Sequence, residues 1–501
     1  MPRRWPPASI TVVMPDSFAD FAVRCRAAQQ AWAARPLRDR LAAVRRLRHA
    51  LAEHGDRLCL CTTQDVGRSA DEVLGTDVLP SADALRFLER RAARILRSRR
   101  VPGRFRPWWL LGERETVYRR PLGVVGVIGT WNYPILLNAV PIAQALAAGN
   151  GVLWKPSEMA PTVGAAMHEL FLSAGFPADL FIRLPATREA GPQLLETDVD
   201  HVVFTGSVEV GRKIAVRCAE RLVPTTLELS GCDALFVLDD ADPALAARAA
   251  WFGTTLNLGQ TCLAVRRAFV HRGRYDAFLE ALRPLAAPAR TEPLGLLSQA
   301  TQAERLVGEA VKRGATVLAA DELPTAHDEP PRFRPTVLIG ASPEMAVCRE
   351  ASFAPLLAVI PFDDEGELVS LSESCALGLG ASVFTSKTRR ALRLAERLRV
   401  GSVSVNDVLV GTAHPAVPFG GVRQSGWGVT RGEEGLLAMT VPQVVTVRSG
   451  KFRPHYGAAG NPAVAETLRG LLAWGHAARG RDRRAGFRRM LRGLWRFVRK
   501  G

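Results

Sequence analysis

The sequence predicts an α/β fold in which a largely parallel sheet is covered by helices. Two observations carry this expectation. From Gly123 onward, short apolar runs alternate with segments whose apolar residues recur every three or four positions, the pattern of successive strand–helix units. The runs themselves, such as "LGVVGVIGTW" from Leu122 to Trp131, are apolar almost throughout, as strands buried on both faces of a parallel sheet are. With 501 residues and 47% hydrophobic content, the chain is long enough for two or three domains with real cores.

Taken in order, residues 17 to 100 read as helices. "FADFAVRCRAAQQAWAA", "RDRLAAVRRLRHALAEHGDRL" and "ADALRFLERRAARIL" carry apolar residues at helical spacing with basic faces between them. Segment 101 to 120 breaks the pattern with Pro and Gly and then alternates as a strand does. After the buried strand come "GVLWK" and a helix from Pro161 through Leu172, with Val163, Met167, Leu170 and Phe171 on one face. "HVVFTG" and a helix from Val208 to about Arg221 follow, then "TTLEL", "ALFVL", a helix from Pro243 to about Leu258, and "RRAFV". The second half repeats the alternation with "PTVLIG", "LLAVIPF", "ASVFT" and "GSVSVN".

Composition removes several classes. The 43 glycines and 33 prolines follow no period, which argues against collagen-like, solenoid and low-complexity chains. Eight cysteines without metal-ligand spacing read as reduced thiols in a cytoplasmic compartment, and no metal site is expected. The start, "MPRRWPPASITVVMP", is too proline-broken for a signal peptide. No run reaches the roughly 18 to 20 apolar residues that span a bilayer. Of the net charge of +17, the stretch from Lys451 to Gly501 holds 13 Lys and Arg against 2 acids, or +11, leaving +6 for the remainder.

Five short motifs carry chemistry. In "GVVGVIGTWNYP", Asn132 lies between Trp131 and Tyr133 just beyond a buried strand, where open α/β sheets bind ligands. "WKPSE" sets Lys155 and Glu158 three apart; they form either a solvated pair or a clamp on ribose hydroxyls whose carboxylate repels a 2′-phosphate. "FTGSVEVG" ends a strand at Gly206 and opens a helix at Ser207, so Ser207 is an N-cap, a phosphate site, or both. In "TTLELSG", Glu228 is enclosed by leucines, and burial would raise its pKa toward that of a general base. "LNLGQTCLAV" presents Cys262, which is either a small buried hydrophobe or a nucleophile.

The ordered set WNYP, KPSE, FTGS, LELSG and GQTC resembles the aldehyde dehydrogenase superfamily, as do "SFAPLLAV" and "HPAVPFGGVRQSGWG", the latter similar to its class 3 and fatty aldehyde branch. The likeness runs from about residue 20 to about 450. It implies a Rossmann-type NAD(P)-binding domain (1–102 and 122–227), an α/β catalytic domain (228–429) and a small β oligomerisation element (103–121 and 430–449), followed by a basic extension (450–501). It further implies Cys262 as nucleophile, Asn132 as oxyanion donor with the Cys262 backbone, and Glu228 as the base that activates water. Lys155 and Glu158 would take the adenine ribose, Gly206, Ser207 and Trp131 the pyrophosphate, and Phe353 the nicotinamide side. NAD is the cofactor expected, with NADP possible.

The sequence departs from the family pattern at three places. Ala351 stands where a ribose-binding Glu is usual, with Glu350 one step earlier. LELGG reads LELSG, followed by Cys232 in place of the common Lys or Asn. Ala354 replaces the usual Gly before Pro355. These leave two alternatives beside aldehyde oxidation to the acid: CoA acylation, against which Glu228 counts, and a non-catalytic scaffold, against which Cys262, Glu228 and Asn132 together count. The arms imply a homodimer or homotetramer. In "GFRRMLRGLWRFVRKG", Phe487, Met490, Leu491, Leu494, Trp495 and Val498 follow helical spacing among arginines. Such a basic amphipathic helix suits an anionic membrane surface, the protein's own body, or, least, nucleic acid.

Overall fold

A computed structural model describes residues 17–107, 110, 112–319, 331–450 and 460–500, the side chains of Val498 and Lys500 excepted. The N-terminal stretch up to residue 16 lies outside the described residues. The chain divides into two units: Met1–Ser98 with Tyr118–Gln443, and Arg99–Val117 with Val444–Gly501.

The first unit holds two large sheets. In one, the strands Thr225–Leu229, His201–Gly206, Val124–Ile128, Gly151–Lys155 and Phe181–Arg183 lie side by side and parallel, and Gly426–Trp427 joins antiparallel beside Thr225–Leu229. Val124–Ile128 is buried at every residue, as its unbroken apolar run requires. Alternate residues feed two cores: Val125, Val127, Val152 and Trp154 on one face, Val124, Ile128, Leu153 and Phe204 on the other. The chain winds outward from Val124–Ile128 through Gly151–Lys155 to Phe181–Arg183, then returns to add His201–Gly206 on the opposite side. That reversal opens a crevice outside the carboxyl ends of Val124–Ile128 and His201–Gly206.

The other sheet has the order Thr316–Val317, Thr336–Ile339, Leu356–Phe362, Val265–His271, Asp233–Val237, Gly380–Phe384, Ser402–Val405 and is parallel except for its first strand. It too is covered on both faces, with Phe236, Phe269 and Ala358 facing one core and Leu235, Ala268 and Val359 the other.

Two elements differ from the sequence expectation. The helix from Pro243 ends at Thr255 rather than near Leu258, because Asn257 and Leu258 take left-handed backbone angles, φ 51° and 52°. Residues 430–439, expected in an oligomerisation arm, instead form a bridge from Thr430 to Phe419 and a helix, Gly432–Ala438, of the first unit; the strand begins at Thr440.

In the second unit the 450–501 extension carries two helices, Pro462–His476 and Gly480–Lys500. Only the second was legible from spacing. No described helix is long and apolar enough to cross a membrane.

Candidate active site

The carboxyl ends of four adjacent strands and one strained loop bring the sequence-predicted residues together. Parallel register sets Ile128 beside both Lys155 and Phe204, Thr205 beside Glu228, and Gly206 beside Leu229. Trp131 and Asn132, Lys155 and Glu158, Gly206 and Ser207, and Glu228 therefore all lie along one edge of one sheet.

Cys262 follows three consecutive residues at positive φ: Asn257, Leu258 and Gly259. For Leu258 that conformation costs about 1–2 kcal/mol, so the loop must be held from outside. Asn257 Nδ2 donates to the Asn132 carbonyl at 3.1 Å, and Gly295 N donates to Gln260 Oε1 at 2.8 Å. The buried Arg266 guanidinium donates to the carbonyls of both Gly259 and Ala354. Gly259 is needed because a Cβ there would fall 2.6 Å from the backbone of Ala354 and Pro355. The "SFAP" segment is thus the wall against which the cysteine loop is braced.

Asn132 is fully buried and positioned through both ends of its amide. Thr130 Oγ1 donates to Asn132 Oδ1 at 2.8 Å, and Asn132 Nδ2 donates to the Gln260 carbonyl at 2.9 Å. Its second N–H leaves a donor for a ligand. Arg68, buried, braces the same turn. It pairs with Asp77 at 2.8 Å, donates to the Asn132 carbonyl at 3.0 Å, and lies 4.4 Å over the Tyr133 ring. The Tyr133 hydroxyl reaches Thr261 Oγ1 at 2.7 Å, which ties the Asn132 turn to the residue before Cys262.

Glu228 is 3% exposed, and neither of its oxygens makes an aligned hydrogen bond. Burial pushes its pKa up to about 7, although the nearby Cys262 thiol, the Arg431 charge and the Thr205 hydroxyl favour the charged form. Burial also pushes the Cys262 thiol well above its ordinary value, and the Glu228 carboxylate pushes it further. The thiol is therefore protonated at neutral pH with a titratable carboxyl beside it.

Arg431 is the residue that sequence reasoning missed. It is buried at φ 62°, with its guanidinium 4.8 Å over the Phe419 ring and a hydrogen bond to the Thr412 carbonyl. Phe419 packs in the cluster that Cys262 joins. Burial lowers the Arg431 pKa, opposed by the charges of Cys262 and Glu228. No carboxylate among the described residues lies within ion-pair distance of it, so its field falls on the Cys262 and Glu228 pair. "GVTRGEEG" carries no periodicity that could have placed Arg431 there. Gly231 was also missed: a Cβ on it would fall 2.5 Å from the Cys262 carbonyl oxygen.

On the expected cofactor side, buried Lys155 donates from Nζ to Glu158 Oε2 at 2.8 Å, and Arg188 Nε donates to Oε1 at 3.1 Å. Partial burial works against ionisation of Glu158, but these cations hold its pKa below the ordinary value. Ser207 caps the helix Val208–Glu220 by accepting from Val210 N, leaving the remaining first-turn N–H groups free for an anion. The Trp131 and Phe353 rings meet at 6.4 Å. A Lys–Glu pair suited to a diol beside a helix N-terminus suited to a pyrophosphate is a donor set that fits a dinucleotide. Glu350 does not take the place left by Ala351: it is paired with Arg305, while Ala351 packs against the Cys232 and Cys375 cluster.

Comparison with known proteins places the chain by family and fold. The family model described as "Aldehyde dehydrogenase family" matches residues 14–445. A 4,4'-diapolycopene aldehyde oxidase of Methylomonas sp is 35% identical over 422 residues, covering 84% of this chain and 79% of that one. A betaine aldehyde dehydrogenase of Sinorhizobium fredii is 33% identical over 459 residues, covering 88% and 91%. The crystal structure of a Mycobacterium tuberculosis aldehyde dehydrogenase complexed with NAD+ superposes with a TM-score of 0.80 at 28% identity, covering 87% of this chain and 92% of that one. By sequence and by fold, the chain belongs to the aldehyde dehydrogenase family.

Proposed function

We propose that the protein oxidises an aldehyde to a carboxylic acid with NAD(P)+, using Cys262 as nucleophile and Glu228 as base. The observation that carries this reading is the pair itself, a protonated, partly buried thiol beside a buried carboxyl that titrates at about 7, with the Asn132 amide held by Thr130 and Gln260.

Attack of Cys262 Sγ on the aldehyde carbon forms a thiohemiacetal, and the thiol proton must leave as the bond forms. Glu228 is the group placed to take it. The negative charge that develops on the aldehyde oxygen is met by the second N–H of Asn132, whose amide Thr130 and Gln260 hold in place, and by the backbone N–H of Cys262. NAD(P)+, when bound, supplies the acceptor for the hydride that the same carbon loses, leaving a thioester on Cys262. Glu228, once it has given the thiol proton up to solvent, takes a proton from water as it attacks the thioester carbon; the C–S bond then breaks, Glu228 returns that proton to the leaving sulfur, and the acid departs. Retention of Glu228 supports water over CoA as acceptor.

Lys155 and Glu158 would hold the adenine ribose, Ser207 with Gly206 and Trp131 the pyrophosphate, and Phe353 the nicotinamide side. The Glu158 carboxylate supports NAD over NADP. The protein is read as cytoplasmic and homodimeric or homotetrameric through its strand arms, with its basic tail at an anionic membrane surface. A 4,4'-diapolycopene aldehyde oxidase and a betaine aldehyde dehydrogenase are both relatives, so the substrate panel must run from apolar to charged.

The test is NADH formation at 340 nm over that panel, with Cys262→Ala beside the wild type. Activity with at least one aldehyde, lost in the variant, is expected. Wild-type silence with both NAD and NADP would favour the scaffold reading instead.

A further inference from the structure

Residues 460–500 form an antiparallel helical hairpin, Pro462–His476 against Gly480–Lys500. Its two helices approach at backbone contact through glycines. A Cβ on Gly470 would collide with Met490 N, one on Gly486 would fall 2.5 Å from Trp474 N, and one on Gly493 2.5 Å from Thr467 N. Three such crossings fix the rotation of each helix about its axis.

That rotation decides where the side chains go. On Pro462–His476, Leu468, Leu471 and Leu472 lie to one flank of the glycine seam; on Gly480–Lys500, Phe487, Leu491 and Leu494 do. In an antiparallel pair, equal displacement from the seam puts both flanks on the same side of the hairpin. The Trp474 and Phe487 rings meet across it at 5.3 Å. The opposite side is polar, where Arg496 pairs with Glu466 at 2.7 Å. The apolar face is open to solvent: Leu468 is 57% exposed, Leu472 65% and Trp495 56%. Arg484, Arg488, Arg492 and Arg499 border it and are exposed.

We infer that this hairpin is a monotopic anchor for an anionic bilayer, its joined apolar face sunk among acyl chains and its bordering arginines on lipid phosphates. This deepens the membrane reading of the tail and rests on it, but adds that insertion of one defined face, rather than charge alone, holds the protein there. Charge complementarity selects this occupant: an apolar face rimmed by arginine matches an anionic lipid surface and repels an identical copy. Neither helix is long and apolar enough to cross the bilayer.

The experiment is co-sedimentation of the full chain with vesicles of phosphatidylglycerol and phosphatidylcholine, or of phosphatidylcholine alone, at 0.15 M salt. Wild type should bind the anionic vesicles at least ten-fold more tightly. Leu472→Glu with Leu491→Glu should lower that binding ten-fold or more, with aldehyde oxidation and circular dichroism unchanged. Arg488→Gln with Arg492→Gln should lower it and flatten its salt dependence. Wild-type binding that survives the Leu variant but not the Arg variant overturns the inserted face while leaving an electrostatic membrane reading standing. No binding by wild type overturns both, and a smaller species for the Leu variant in light scattering would then assign the face to a second copy.

Discussion

Buried Glu228 lies beside the partly buried Cys262, and the carboxylate raises the proton affinity of the thiol while the thiol favours ionisation of the carboxyl. The pair therefore titrates in a fixed order, carboxyl first at about 7. Turnover limited by water attack should rise with pH through that value. Glu228→Gln should lower kcat by about 10²-fold or more and remove the limb near neutrality. A pH–rate profile of the variant that still bends there would assign the base to another group.

The same pKa carries a cost in stability. Because Glu228 titrates higher when folded than when unfolded, the folded chain binds more protons between pH 4.5 and about 7, and stability falls as pH rises through that window. Glu228→Gln keeps the shape and removes the charge. It should match wild type near pH 4.5 and exceed it by about 1–3 kcal/mol at pH 8. Thermal unfolding of both proteins at the two pH values checks this, and a gain independent of pH would remove the electrostatic cause.

What was legible in the sequence was what sits at strand ends. Asn132, Lys155, Gly206 and Glu228 each follow an apolar run, and parallel strands must end on a common edge, so adjacency along the chain became adjacency in space. Arg431 and the Arg68–Asp77 pair gave no such signal. An arginine buried against Phe419 by a tertiary contact looks in sequence like any surface arginine, and "GVTRGEEG" has no period to betray its orientation. The glycine seam of the tail was hidden likewise: Gly470, Gly486 and Gly493 show their purpose only when the two helices are paired.

Arg431 is a positioning residue by this geometry, since its charge reaches the pair without bonding to it. Arg431→Met keeps most of the volume over Phe419 and removes the charge. Both Cys262 and Glu228 should then hold their protons to higher pH, moving the rising limb of the rate profile to the alkaline side. Arg431→Lys should move it part of the way back. A loss of kcat with no shift in the profile would reduce Arg431 to packing.

Gly231 sets how closely the Cys262 loop approaches the strand of Glu228. An added methyl would meet the Cys262 carbonyl oxygen at 2.5 Å, Asp233 Oδ1 at 2.8 Å and Leu379 Cβ at 3.0 Å, and the first of these is backbone. Gly231→Ala should cost about 1–3 kcal/mol in stability and, by displacing Sγ, about 10²-fold in kcat. Alkylation of Cys262 by iodoacetamide followed by mass spectrometry separates the two effects, because a displaced loop changes the labelling rate even where the chain stays folded.

Glu158 offers the clearest test of the cofactor assignment. Its carboxylate is kept ionised by Lys155 and Arg188, so a 2′-phosphate placed there would meet a fixed negative charge. Glu158→Ser removes that charge, leaves Lys155 and Arg188 to receive the phosphate, and introduces a side chain too short to crowd it. The ratio of kcat/KM for NADP to that for NAD should rise by about 10-fold or more, since one like-charge contact at a partly buried site is worth about 1–2 kcal/mol. The increase should shrink at high salt, as expected of a charge effect at a half-exposed position. An unchanged ratio would place the adenine ribose away from the Lys155 strand end.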